Sequence, residues 1–367
     1  MDLETAKRFF NEHTEMLAVA TSSVIVGAFI WYQTSDTYEA DWVQACKDPT
    51  NGNMEQWLQD HPGMVSYAED FEFGAFSGMV CRQTQLYYQL NEYNASAIAM
   101  MLSATTSMPL LMAMLLEAGR GDAGGALKMP LIFWILSQEF GLAVVFPLLW
   151  LPLYCAYKGE PKSAINPLRV YASLPLVLPQ LVLTILIFYL NPGSSGWSNC
   201  VGLLAGPIFS GCSMLLSLIG DPSTEETKEK KEIATTSRRL MALMYGAAGL
   251  LSVATWLWLL FFMIIPAFGW SSIQGVCDEL WTNAPTKLSY KSLELLALWF
   301  SGLVYIGVQS GSPQAVIEAM SISAVFGPGA GLCSALAGVA VSEDMEAIEE
   351  AKRREQDKKS KKKGKKE

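Results

Sequence analysis

The chain has 367 residues, 51% of them hydrophobic, with a mean hydropathy of +0.25 and a formal charge of −9. An acidic chain whose Lys and Arg gather in the extreme C-terminus and two short loops excludes a nucleic-acid surface, so no nucleic-acid partner is expected. Its two histidines, His13 and His61, lie outside the apolar blocks, which excludes bis-histidine haem and the histidine clusters of membrane di-iron enzymes.

Residues 1–15 mix acids and bases and lack the short apolar core with a small-residue site of a signal peptide. From there the apolar residues collect into blocks long enough to cross a bilayer, which takes about 20 residues. The blocks are Met16–Tyr32, Ala95–Glu117, Met129–Tyr157, Tyr171–Leu190, Trp197–Gly220, Leu240–Phe268, Ser292–Val308 and Ala315–Val341. Lipid offers no partner to a backbone amide, so each block is expected to be helical, and the absence of period-two alternation excludes a barrel. The expected fold is all-α: a polytopic bundle of about eight apolar helices over residues 1–341. One of them is expected to be re-entrant, the best suspect being the last, where Gly327-Pro328-Gly329-Ala330-Gly331 interrupts the helix.

Between the first two blocks, residues 33–94 form the one long polar segment, acidic and rich in aromatics, which suits a cap at headgroup level. Asn94-Ala95-Ser96 matches a glycosylation sequon but abuts a span. From Ser342 onward the chain turns abruptly charged, so residues 342–367 are expected to be a cytosolic, largely disordered tail that is helical where it leaves the membrane. Its end, Lys363-Gly364-Lys365-Lys366-Glu367, has the spacing of a dilysine retrieval signal. That spacing points to the endoplasmic-reticulum membrane and to coat-protein recognition; a generic basic tail attracted to anionic lipid is the plainer alternative.

The seven cysteines contain no C-x-x-C pair, so no zinc or dithiol centre is expected. Cys155, Cys212 and Cys333 fall in apolar blocks; Cys46, Cys81, Cys200 and Cys277 fall near water-facing segments, and their connectivity is open.

An ionisable side chain at mid-membrane costs at least about 2.5 kcal/mol, so each one asks for a reason. Glu139 stands out, near the middle of its block beside Gln138, Trp134 and Phe140. A carboxyl deprived of water favours its neutral, proton-donating form. The structural alternative is a carboxyl bonded to a neighbouring helix. Glu117, Glu294 and Glu318 lie near span ends and Asp70 in the polar segment, where solvated boundary roles are the simpler expectation. Glu294, Glu318 and Asp70 remain second-choice acids. Trp256, Trp258 and Trp299 lie deep enough for a ring face to hold a developing cation, although plain packing explains any one of them.

This plan, a seven-to-eight-span bundle with few histidines, an isolated intramembrane carboxyl at Glu139 and an aromatic lining, resembles the fungal membrane-bound terpene cyclases of meroterpenoid pathways, of the ascochlorin, ascofuranone and macrophorin type. The resemblance implies an isomerase of secondary metabolism that uses no cofactor and no metal. It would protonate an epoxide or terminal alkene on a lipophilic, farnesyl-bearing substrate and guide ring closure by cation–π contacts. Glu139 then fits the acid, Glu294, Glu318 or Asp70 a second carboxylate, and Trp134, Gln138, Phe140, Trp256, Trp258 and Trp299 the substrate walls. A small-solute transporter or channel is the alternative, against which no inverted repeat is evident in the sequence. A non-catalytic membrane partner of the endoplasmic reticulum is the third reading.

Overall fold

The structure is a computed structural model that describes residues 27, 94–120, 123–157, 165–174, 178, 228–269, 272–279 and 286–363. The block Met16–Tyr32 apart from Gly27, the polar segment with Asp70, the block Trp197–Gly220 and most of Tyr171–Leu190 lie outside the described residues, as do Cys46, Cys81, Cys200 and Cys212. The described residues are helical almost throughout and contain no strand.

Helix α1 spans Asn94–Glu117, one residue longer than expected. Three of its hydroxyls are satisfied within the helix: Thr105 and Thr106 donate to the Leu102 carbonyl and Ser107 to that of Ala104, while the buried Ser103 hydroxyl has no partner among the described residues. Pro109 removes the amide that would bond the Thr105 carbonyl. That carbonyl instead meets the backbone of Gly329, where an added Cβ would stand 2.5 Å away.

The expected single block Met129–Tyr157 is broken. It forms α2 (Pro130–Phe140), then α3 (Leu142–Val145), a π-helical turn (Phe146–Trp150) and α4 (Leu151–Tyr157). The break is Gly141, at φ 83° and ψ 144°, a conformation open to a residue without Cβ. A straight helix would hold Pro130 and Tyr157 about 40 Å apart. Here the Gly124 amide donates to the Tyr157 carbonyl at 3.1 Å, so the chain enters and leaves at one end of the bundle.

Helix α5 (Lys228–Leu259) continues through a π-helical turn (Leu260–Ile264) into α6 (Ile265–Phe268); α7 (Ser272–Asp278) and α8 (Thr286–Ser310) follow. At Gly311, φ 60°, the chain turns within two residues into α9 (Pro313–Phe326). A second glycine break at Gly327, φ 88° and ψ 156°, leads to α10 (Pro328–Lys363). An added Cβ on Gly331 would collide with the Ser323 hydroxyl and the Ala319 carbonyl, atoms that a continuous helix would place roughly 12 and 18 Å along its axis. The last block therefore doubles back on itself. Helix α10 does not stop at Ser342: the charged segment continues as helix to Lys363. A helix nucleated in the core propagates readily through Glu, Lys, Arg and Ala.

Among the described residues, three helical segments are long and apolar enough to cross a membrane: Ile98–Glu117, Ile233–Phe268 and Ser292–Ser310. Helices α1, α5, α8 and α10 pack around one apolar core that includes Leu110, Phe146, Trp150, Ala248, Tyr305 and Leu332. A smaller cluster forms around Ile98, Met101, Leu259 and Ile264. The Ala95 amide donates to Glu279 Oε2 at 2.8 Å, which fixes α1 and α7 at one end of the bundle. Glu117 and the feet of both doubled segments lie at the other.

Candidate functional site

Both doubled segments place a backbone break inside the bundle. Helix α2 has 11 residues and the return to Tyr157 has 16, which puts Gly141 roughly 16 to 24 Å from the end where its feet meet. Gly329 packs beside Thr105, about 18 Å along α1 from Glu117. Irregular backbone at such depth is tolerated only where protein covers it or a cavity admits water.

Gln138 and Glu139 occupy the last turn of α2, immediately before the first break; their side chains lie outside the described ones. Trp134, one turn earlier on the same face as Gln138, is 6% exposed, and its indole N–H meets no acceptor among the described residues. A buried donor without an acceptor costs about 1–3 kcal/mol. Phe140 ends α2 and is exposed.

Trp256 and Trp299 meet the second break. Trp256 donates to the Val325 carbonyl at 3.0 Å and its ring lies against Gly327; Trp299 donates to Ser323 Oγ at 3.0 Å. Trp258 stacks on Phe262 at 6.2 Å and, like Trp256, packs against the smaller cluster, whereas Trp134 belongs to the main core and Trp299 packs against it. Glu294 is half-buried in α8; Glu318 is exposed on α9 and accepts from Gln314 Nε2 at 3.3 Å. Cys277 is exposed and Cys333 buried.

The strongest electrostatic feature is one that boundary position concealed. Glu117, expected to be a solvated end residue, is 3% exposed and grips Arg120, also 3% exposed, through Nε to Oε2 at 2.8 Å and Nη2 to Oε1 at 3.1 Å. Burial opposes the Arg120 charge, yet the Glu117 carboxylate and its hydrogen bonds outweigh it and hold the guanidinium above its ordinary value. Tyr305 on α8 donates to Glu117 Oε1 at 3.5 Å, and its ring meets a stack of Phe146, Trp150 and Tyr154. Arg169 donates to the Leu115 carbonyl at 2.8 Å beneath Gly119, capping α1. Arg238 and Arg239 converge on Asp344 at 3.7 and 3.2 Å, and Glu343 is an electrostatic neighbour of Arg120. The Ser237 hydroxyl bonds the Ile165 carbonyl in the same layer. The two-point guanidinium contact ties the end of α1 to the turn that follows it, so this layer clamps helix ends. The i, i+3 spacing of Glu117 and Arg120 was the available signal.

No family model, no curated protein and no solved structure matches this chain. Its function is argued from its own residues.

Proposed function

We propose that the chain is a multi-pass protein of the endoplasmic-reticulum membrane, with about eight spanning or re-entrant helices, and that it is an intramembrane terpene cyclase acting on a lipophilic, farnesyl-bearing substrate. The observation that carries this reading is the broken helix α2. It sets Gln138 and Glu139 one step before a mid-depth discontinuity, next to a buried indole N–H that has no acceptor among the described residues. A carboxylic acid there can give its proton to an epoxide oxygen. The C–O bond breaks, the neighbouring alkene π pair closes a C–C bond on the electron-poor carbon, and the positive charge moves on until loss of a proton ends the sequence. The net change is isomerisation, with no redox step. Aromatic faces stabilise the migrating charge by about 0.5–2 kcal/mol each.

The test is conversion of an epoxidised farnesyl-phenol to a cyclic product by microsomes containing the protein, with no added metal or nucleotide. Activity should survive EDTA; loss on chelation that magnesium restores would move the reading to diphosphate chemistry. The second reading, a transporter, is favoured by the pair of mid-depth helix breaks, a feature of solute pathways. Solute uptake by proteoliposomes without turnover of the farnesyl-phenol would replace the first reading with it.

A further inference from the structure

We infer that the bundle is a tandem duplication of one unit, a long helix followed by a hairpin that enters and leaves by the same membrane face, and that only the first copy's tip binds a ligand. The ligand is a lipophilic molecule whose polar end is an accepting oxygen. The binding part rests on the reading of Glu139 above; the duplication does not.

The two hairpins match in detail. Each begins with proline at its first position, Pro130 and Pro313, and ends in phenylalanine then glycine, Phe140-Gly141 and Phe326-Gly327. The glycines adopt nearly the same conformation, φ 83° and ψ 144° against φ 88° and ψ 156°. Each glycine amide donates back to a serine carbonyl, Gly141 to Ser137 at 2.9 Å and Gly327 to Ser323 at 3.0 Å. Placing Gly327 on Gly141 pairs buried Phe133 with Ala319, Phe146 with Leu332 and Trp150 with Leu336, while buried Trp134 falls on exposed Met320 and the two prolines fall three positions out of register. Each hairpin follows a long apolar helix, α1 or α8. The packing is reciprocal: the first return segment lays Phe146 and Trp150 on Tyr305 of α8, and the second lays Gly329 on Thr105 of α1. Crossed contacts of this kind follow from a two-fold axis between α1 and α8. Both long helices run toward the Glu117 end, so the axis lies along the membrane normal and the repeat is parallel. An inverted repeat, the kind sought in the sequence, is therefore not the symmetry present.

The tips differ in chemistry. Where the first has Gln138 and Glu139, the second has Ala324 and Val325. At the second tip the protein itself supplies the acceptors, the Val325 carbonyl and Ser323 hydroxyl each taking an indole N–H. At the first tip the buried Trp134 N–H, 6% exposed, has no acceptor among the described residues, so an oxygen brought by a ligand would complete it.

Two measurements on the full-length protein decide this. In sealed microsomes, single cysteines in a cysteine-free background at Met129, Tyr157, Gln314 and Ser342 should share one accessibility to an impermeant maleimide, and Gln274→Cys should show the opposite. Glycosylation sequons inserted in the same loops of the native chain repeat the reading if that background misfolds. Met129→Cys and Tyr157→Cys on opposite sides would overturn the duplication. In binding, followed by thermal shift with an epoxidised farnesyl-phenol as probe, Trp134→Phe should weaken affinity at least about tenfold, the worth of one hydrogen bond to a buried donor. Ser323→Ala at the second tip, which removes the Trp299 acceptor, should leave it within about twofold. No binding, or equal loss in both variants, overturns the single-tip assignment; binding without turnover leaves it standing and sinks the cyclase reading.

Discussion

Glu117 and Arg120 show how far a residue's role depends on what surrounds it. Three positions apart at the end of an apolar helix, they have the spacing of a weak surface pair, yet both are buried. Removing one partner strands the other charge, so Arg120→Met should destabilise the protein by about 3–5 kcal/mol. Glu117→Gln combined with Arg120→Met should cost less than the sum of the two single changes, read as a melting shift in detergent, because the double change leaves no orphan. Additive losses would remove the coupling. Glu139→Gln belongs to the other class. It keeps size and hydrogen-bonding capacity but lacks a transferable proton, so turnover should fall by at least about 10²–10⁴ with melting nearly unchanged. Glu294→Gln and Glu318→Gln should each lose less; a dead Glu318→Gln beside an active Glu139→Gln would move the donor.

The glycine breaks are the decisive elements. Gly331 faces Ser323 and Ala319 across the second hairpin with no room for a Cβ, whereas Gly338, further along the same helix, faces open space. Gly331→Val should therefore wedge α9 from α10 and abolish the cooperative melt, while Gly338→Ala should stabilise α10 by roughly 0.5–1 kcal/mol through helix propensity. Equal melting of the two variants would mean that the hairpin is not closely packed. At the exit of α10 the clamp on Asp344 holds the charged extension. Asp344→Asn should loosen it and speed amide exchange beyond Ser342 while leaving exchange in α1 unchanged.

For the whole molecule, the three segments long enough to cross a membrane differ in what they touch. The apolar stretch of α1 is enclosed by its neighbours, whereas Ile233–Phe268 leaves Leu243, Leu250 and Phe262 largely exposed. At 36 residues, Ile233–Phe268 is about 54 Å long and exceeds a hydrocarbon core of about 30 Å, so it projects beyond it, and the Arg238 and Arg239 clamp lies near its start.

The class was determined by the sequence alone, because backbone amides deprived of water leave a long apolar block only the helix. The last block's interruption was also legible, since Gly-Pro-Gly breaks a helix in any context. Gly141 was not: a lone glycine inside a continuous apolar run looks like any close-packing glycine, and only the bond from Gly124 to Tyr157 shows that the chain returns. Glu117 was legible as a charge at a span end but not as a buried one, because burial depends on Tyr305, Tyr154 and the other helices packed around it. The repeat escaped the sequence for the same reason. Its halves share a proline, a serine and a Phe-Gly pair and little else, and their kinship lies in backbone angles and reciprocal packing, which exist only once the chain is folded.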